Sequence, residues 1–224
     1  MNQTYSHGVA FILEGDTEAR FYETMICHYS GNHTECAYSG WFDNSINDFI
    51  YKVDSIQSSV LIRMYNVKTI TQIAHSADWF KNECKKRFKD IKWTIFLCYD
   101  TDSHARDVTK FYEGDWKRLR EKLEGKDIEI IDLAARAMIE DIFLLDPEGI
   151  CEYLGIQAKS IPRTGSAKKT LKDFFRSHGK TYHEGDRAQD LIWALNKNKI
   201  IEKSEIRFSL IEQCCFLEPV GSMT

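Results

Sequence analysis

Residues 93–102, WTIFLCYDTD, constrain this chain more than any other stretch. A nearly continuous apolar run leads straight into two aspartates separated by one threonine. Such a run reads as a central strand buried on both faces. The acids then fall at its carboxyl end, where open parallel sheets keep their binding crevice. Side chains alternate along a strand, so Phe96, Cys98, Asp100 and Asp102 share one side. Two carboxylates that project together, roughly 6–7 Å apart along the chain, repel unless a positive charge lies between them. A hard divalent cation with oxygen ligands meets that need.

The flanking segments supply neighbours for that strand. HGVAFILE, residues 7–14, reads as a first strand. A glycine turn follows, then a helix capped by Asp16 or Thr17 with Ala19, Tyr22, Met25, Ile26 and Tyr29 as its apolar stripe. Residues 31–59 mix Gly, Asn, Ser and aromatics and read as an insertion of short strands or loops. Val60–Val67 reads as a second strand and residues 71–89 as a lysine-rich helix. Residues 108–125 form a charged helix, and residues 127–133 a fourth strand. Strands alternating with helices predict a parallel sheet. Residues 134–145 read as a helix that ends before Asp146-Pro147. Beyond it, residues 147–155, 166–178, 186–197 and 204–215 all read as helices. The expectation is an α/β core over residues 1–146, with the insertion at 31–59, and a helical C-terminal segment over 147–224 packed on it.

Composition excludes some classes. No apolar stretch approaches a membrane span, and the first residues lack the basic and small-residue pattern of a secretory signal. Seven scattered cysteines fit a reducing compartment, so the expected location is cytoplasmic with no membrane partner. The net charge of −4 offers no global attraction to nucleic acid, so any such contact needs a local basic patch.

A first strand ending in Glu14-Gly15, with Thr17 and Glu18 on the next turn, precedes a later strand ending in Asp100-Thr101-Asp102. This combination resembles the TOPRIM domain, a Rossmann-like fold shared by topoisomerases, bacterial primases and overcoming-lysogenization-defect (OLD) nucleases. Together with ARAMIEDIFLLD, it looks most like small stand-alone TOPRIM proteins of bacterial defence. The resemblance covers roughly residues 7–146 and departs at the 31–59 insertion and at Ser103-His104-Ala105. It implies a metal-dependent endonuclease holding Mg²⁺ or Mn²⁺ on Glu14, Asp100 and Asp102, with Glu18 holding a second ion or orienting water. It points to Glu140 and Asp141 as further acids. It also implies DNA or RNA, tRNA included, as substrate, an antiviral role, and a regulatory partner protein such as an ATPase.

The residues support related chemistry on their own terms. Phosphodiester cleavage builds charge on phosphoryl and leaving oxygens, which divalent ions stabilise while lowering the pKa of bound water. Lys159–Lys180 carries seven cations against Asp173. Within it, Ser166 is placed to cap a helix whose N-terminus and flanking cations suit phosphate. Arg163, Lys168, Lys169, Lys172 and Arg176 are the nucleic-acid-contact candidates, and Lys168 and Lys169 the ones for the reacting phosphate. The bland alternative is a solvated helix whose Leu171, Phe174 and Phe175 pack inward. The Cys27, His28, His33, Cys36 set matches no standard zinc spacing. Three functions compete: a Mg²⁺-dependent nuclease, a non-catalytic TOPRIM module binding nucleic acid or protein, and a metal-dependent nucleotide-handling enzyme.

Overall fold

Apolar side chains on both sides of a strand leave water no face to wet, and that puts HGVAFIL in the middle of a sheet. The computed structural model describes residues 5–44, 48–56, 58–68, 72–101, 113–135 and 137–217. Its strands are β1 (His7–Leu13), β2 (Ala37–Asp43), β3 (Asp48–Asp54), β4 (Ser59–Asn66), β5 (Lys92–Asp100) and β6 (Ile128–Ala135). They form one sheet in the order β2-β3-β4-β1-β5-β6, with β4, β1, β5 and β6 parallel. The 31–59 insertion is a hairpin, β2 and β3, added antiparallel to the free edge of β4. The architecture is thus a Rossmann-like α/β domain with C-terminal helices.

Period-two alternation sorts the strand side chains onto two faces. Val9, Phe11, Leu13, Phe96 and Cys98 face α1 (Asp16–Asn32) and the C-terminal helices, in one continuous apolar core. Ala10, Ile12, Ile95 and Leu97 face α2 (Ile73–Trp79), its π-helical continuation Phe80–Lys85, and α3 (Glu113–Leu123). Phe11 and Phe96 are register partners with ring centroids 5.1 Å apart, which welds β1 to β5 at the middle of the sheet.

The chain order of the four parallel strands, second-first-third-fourth, reverses between β1 and β5. That is the topological switch point at which open α/β sheets bind ligands, outside the carboxyl ends of the strands. Glu14 follows β1 and Asp100 ends β5, so both acids stand there.

Four local expectations are corrected. Residues 134–145 do not begin as a helix: β6 runs to Ala135 because β5 offers it a partner as far as Asp100. The ladder overrides the helical preference of the alanines, and α4 (Ile139–Phe143) starts only afterwards. The first helix is capped by Gly15 rather than Asp16 or Thr17. After α5 (Pro147–Leu154), α6 (Ala167–Ser177), a 3₁₀ turn at Gly185–Ala188 and α7 (Gln189–Ala194), Asn196 starts a new helix, α8 (Lys197–Lys203). Its side chain accepts a bond from the Lys199 N–H at 3.1 Å. The last helix, α9 (Ser209–Cys215), is correspondingly shorter than expected. Ser166 caps α6 as expected, accepting from the Lys169 N–H at 3.3 Å. Among the described residues no helix is long and apolar enough to cross a membrane.

Candidate functional site

The end of β1 is tied to its neighbours before any side chain is considered. The Glu14 N–H donates to the Cys98 carbonyl at 3.0 Å, and the Lys68 N–H donates to the Glu14 carbonyl at 2.9 Å. The Glu14 carboxylate then turns across the switch point and accepts the Asp100 N–H at 2.9 Å. Gly15 next opens α1. A Cβ at position 15 would lie 2.8 Å from Glu18 Oε2, so only glycine leaves that carboxylate its place. Glu18 is buried one helical turn on.

Two more elements close the cluster. Glu140, 2% exposed, comes from the first turn of α4 and accepts the Tyr182 hydroxyl at 3.0 Å. Lys168, from the first turn of α6, has its ammonium 3.8 Å from Glu140 and 2.9 Å from Glu184. Glu184 also pairs with Lys172 at 2.9 Å. The turn carrying Glu184 docks on α1, where the Gly185 N–H donates to Thr17 Oγ1 at 2.8 Å. A cleft of about 340 Å³ lies among Glu14, Glu18, Asp100, Glu140, Lys168 and Glu184.

The electrostatics of the cluster are unbalanced. Burial, with Glu14 and Glu140 nearby, pushes the Glu18 carboxyl up to about 7. Burial raises Asp100 well above the ordinary carboxylate range, and Glu18, Glu14 and Glu140 add to it. Burial raises Glu140 too, against the opposing pull of Lys168. Burial lowers the Lys168 ammonium, but Glu140, Glu184 and Asp100 outweigh it and keep it above its usual value. Asp100 Oδ1 is buried and has no hydrogen-bond partner among the described residues. Like charges confined together raise one another's pKa, and the two lysines lining the cleft, Lys68 and Lys168, are outnumbered by Glu14, Asp16, Glu18, Asp100, Glu140 and Glu184. The donors are hard oxygens, one of them unpartnered, and that set fits a small divalent cation. Among the described residues no group of three or more acid, histidine or cysteine side chains is placed to hold a metal ion together. Magnesium typically keeps several waters and takes only one or two carboxylates, so an open set suits it.

Of the residues expected at the site, Glu14, Glu18, Asp100, Glu140 and Lys168 line one cleft, but Asp141 and Lys169 do not. Consecutive helical residues point about 100° apart. Glu140 therefore faces inward while Asp141 turns out to Arg163, its Oδ1 2.6 Å from the guanidinium. Lys168 faces inward likewise, while Lys169 donates to the Thr164 carbonyl at 3.0 Å and lies 3.7 Å from Asp173. Arg176 lies 3.8 Å from Asp173. Each cation proposed for nucleic-acid contact thus has an acidic neighbour within the chain. Asp102 and His104 lie outside the described residues.

Sequence reading missed Glu184, Tyr182 and Lys68. One signal was available for the first, since Glu-Gly-Asp recurs at 14–16, 113–115 and 184–186. Its first and third copies meet in space: both line the acid cleft, and a Cβ on Gly185 would lie 3.3 Å from Asp16 Cβ. A second cavity, about 640 Å³, lies beside α4 and the α8–α9 connection. Its lining mixes apolar side chains with Lys203, Glu205 and the paired Asp141 and Arg163. It gathers no acid cluster, so its greater size does not make it the chemical centre.

No protein-family model matches the chain, and no curated protein does. Among solved structures it is similar to one described as a 5′-methylthioadenosine/S-adenosylhomocysteine nucleosidase from Borrelia burgdorferi B31 bound to adenine. Identity is 12%, coverage is 92% of this chain and 98% of that one, and the TM-score is 0.28. The expectation of a nuclease in antiviral defence, cleaving DNA or RNA, is corrected here. The basic side chains meant to follow a nucleic-acid backbone are engaged in internal ion pairs. The likeness is too remote to put nucleosidase chemistry in its place.

Proposed function

We propose that the acids at the ends of β1 and β5 bind a divalent cation, magnesium or manganese, and that the protein is an enzyme acting there on a small phosphate-bearing molecule. The observation that carries this reading is the buried Asp100 Oδ1, without a hydrogen-bond partner among the described residues, in a cleft where acids outnumber lysines. Glu14 and Asp100 would hold the ion, with Glu18 and Glu140 beside them reaching it through water. The TOPRIM resemblance belongs to the same proposal, since it rests on Glu14 and Asp100 at neighbouring strand ends. A cytoplasmic setting does too, because all seven cysteines are free thiols.

When bound, such a cation polarises a phosphoryl oxygen and lowers the pKa of a coordinated water. The chain's own groups supply the rest. Glu18, with its carboxyl pushed up to about 7, is suited to exchange a proton near neutral pH. Lys168 supplies a fixed positive charge at the cleft wall. The cleft of about 340 Å³ is at the small-molecule end of ligand sites.

Calorimetric titration with Mg²⁺ and Mn²⁺ at pH 7.5 tests the proposal. Wild-type protein is expected to bind with proton release, and Asp100→Asn to lose about tenfold or more in affinity. Equal binding by the two proteins, or none by wild type, overturns the reading. Phosphate release from a panel of nucleotides and sugar phosphates, dependent on metal and on Glu18, tests the enzymatic half.

A further inference from the structure

The β2–β3 hairpin presents more aromatic surface than an edge hairpin requires. Tyr38, Phe42, Phe49 and Tyr51 line one face of it, the face turned toward α1. Tyr51 stacks on Tyr38 at 6.0 Å and 8°, and on Phe49 at 6.2 Å and 22°. Phe49 meets Phe42 edge-on at 5.2 Å. Phe42 is 45% and Phe49 52% exposed, so the outer end of this column offers open ring surface to solvent.

Between this face and α1 runs a groove of about 210 Å³. Phe49, Tyr51 and Met64 line one side of it, and Arg20 and Glu23 the other. Asp16 and Lys68 border both this groove and the acid cleft, so the two depressions are neighbours with that pair at their common edge. Lys68 pairs with Asp16 at 3.2 Å, its side chain still 61% exposed. It adopts a left-handed backbone at φ 58°, uncommon for a side-chain-bearing residue and found more often at functional sites. Its N–H is held there by the Glu14 carbonyl at 2.9 Å and Asn66 Oδ1 at 3.1 Å. Phe49 is positioned in turn by its neighbour Asp48, which accepts from the buried Arg63 guanidinium at 2.7 Å.

We infer that this groove holds the planar base of a nucleotide whose phosphates pass Lys68 to reach the acid cluster. The inference rests on the cation reading above, because an acidic cleft accepts phosphates only with a cation present. A base stacks on the face of Phe49, as aromatic side chains stack nucleobases regardless of sequence. The Glu23 carboxylate, already accepting from Arg20 at 2.9 Å, retains lone pairs for an exocyclic amino group. Bases carrying an amino group are therefore preferred to uracil.

The test measures affinity in the presence of Mg²⁺ for a non-hydrolysable ATP analogue, the UTP counterpart, tripolyphosphate and adenosine. The proteins are wild type, Phe49→Ala and Phe49→Trp. In wild type the ATP analogue binds about tenfold or more tightly than tripolyphosphate, the gain expected of one stacked base. Phe49→Ala removes that margin without changing tripolyphosphate binding, and Phe49→Trp restores it. Equal binding of the ATP analogue and tripolyphosphate in wild type overturns the base groove and leaves the cation site standing. So does a Phe49→Ala loss that falls equally on both. If tripolyphosphate fails to bind while adenosine binds in a Phe49-dependent way, the groove stands and the cation reading falls. Loss of every ligand overturns both.

Discussion

Replacing Glu18 by glutamine should make the metal-free protein more stable, and more so as pH rises. Glu18 is 7% exposed, and its carboxyl is pushed from 4.5 up to about 7 by burial and by Glu14 and Glu140. A carboxylate whose folded-state pKa is raised binds more protons in the native than in the unfolded state. Between pH 4.5 and about 7 stability therefore falls as pH rises. Glutamine keeps the shape and stays neutral. The advantage of Glu18→Gln over wild type should thus grow by on the order of 2–3 kcal/mol between pH 5 and pH 8. For a chain of this size that is a relative rise in Tm of roughly 4–12 °C. Thermal melts of both proteins in EDTA at the two pH values measure it. Added Mg²⁺ should shrink the difference, because bound cation stabilises the ionised wild-type cluster and not the neutral variant. A variant destabilised equally at both pH values would refute the electrostatic reasoning, since that result marks Glu18 as packing alone.

Two glycine substitutions probe the frame. Gly15→Ala adds a Cβ 2.8 Å from Glu18 Oε2, a movable side-chain tip. The protein should fold with little change in Tm and lose about tenfold or more in Mn²⁺ affinity by titration. Gly8→Ala instead drives a Cβ within 2.6 Å of the Trp93 ring, which is 2% exposed and wedged against Phe80 at 5.4 Å. With no room to yield, it should cost about 1–3 kcal/mol or more in urea denaturation. Unchanged stability there would show that the ring can move.

The strands were legible because they are buried on both faces. HGVAFIL, VLIRMYN and WTIFLCYD are apolar nearly throughout, and no other element tolerates that pattern over so short a length. Helix ends were legible where a local cap specifies them, as Ser166 does for α6. They were not where a distant ladder or contact decides, as at Ala135, held by β5, or at Asn196, whose N–H is held by Asp146 at 2.8 Å. The paired residues Glu140-Asp141 and Lys168-Lys169 were indistinguishable in sequence. Only the rotation of α4 and α6 against the sheet separates the inward from the outward member.

Amino-acid order by itself determined that acids follow two buried strands, because hydrophobic pattern and strand periodicity are local properties. Strand order was not local. The placing of β1 beside β5, which brings Glu14 against the Asp100 amide, arises from which apolar faces pack together across the whole chain. The recruitment of Glu184, Tyr182 and the aromatic hairpin depends on the same long-range packing. Their contacts span residues far apart in sequence, and no window of neighbouring residues encodes them.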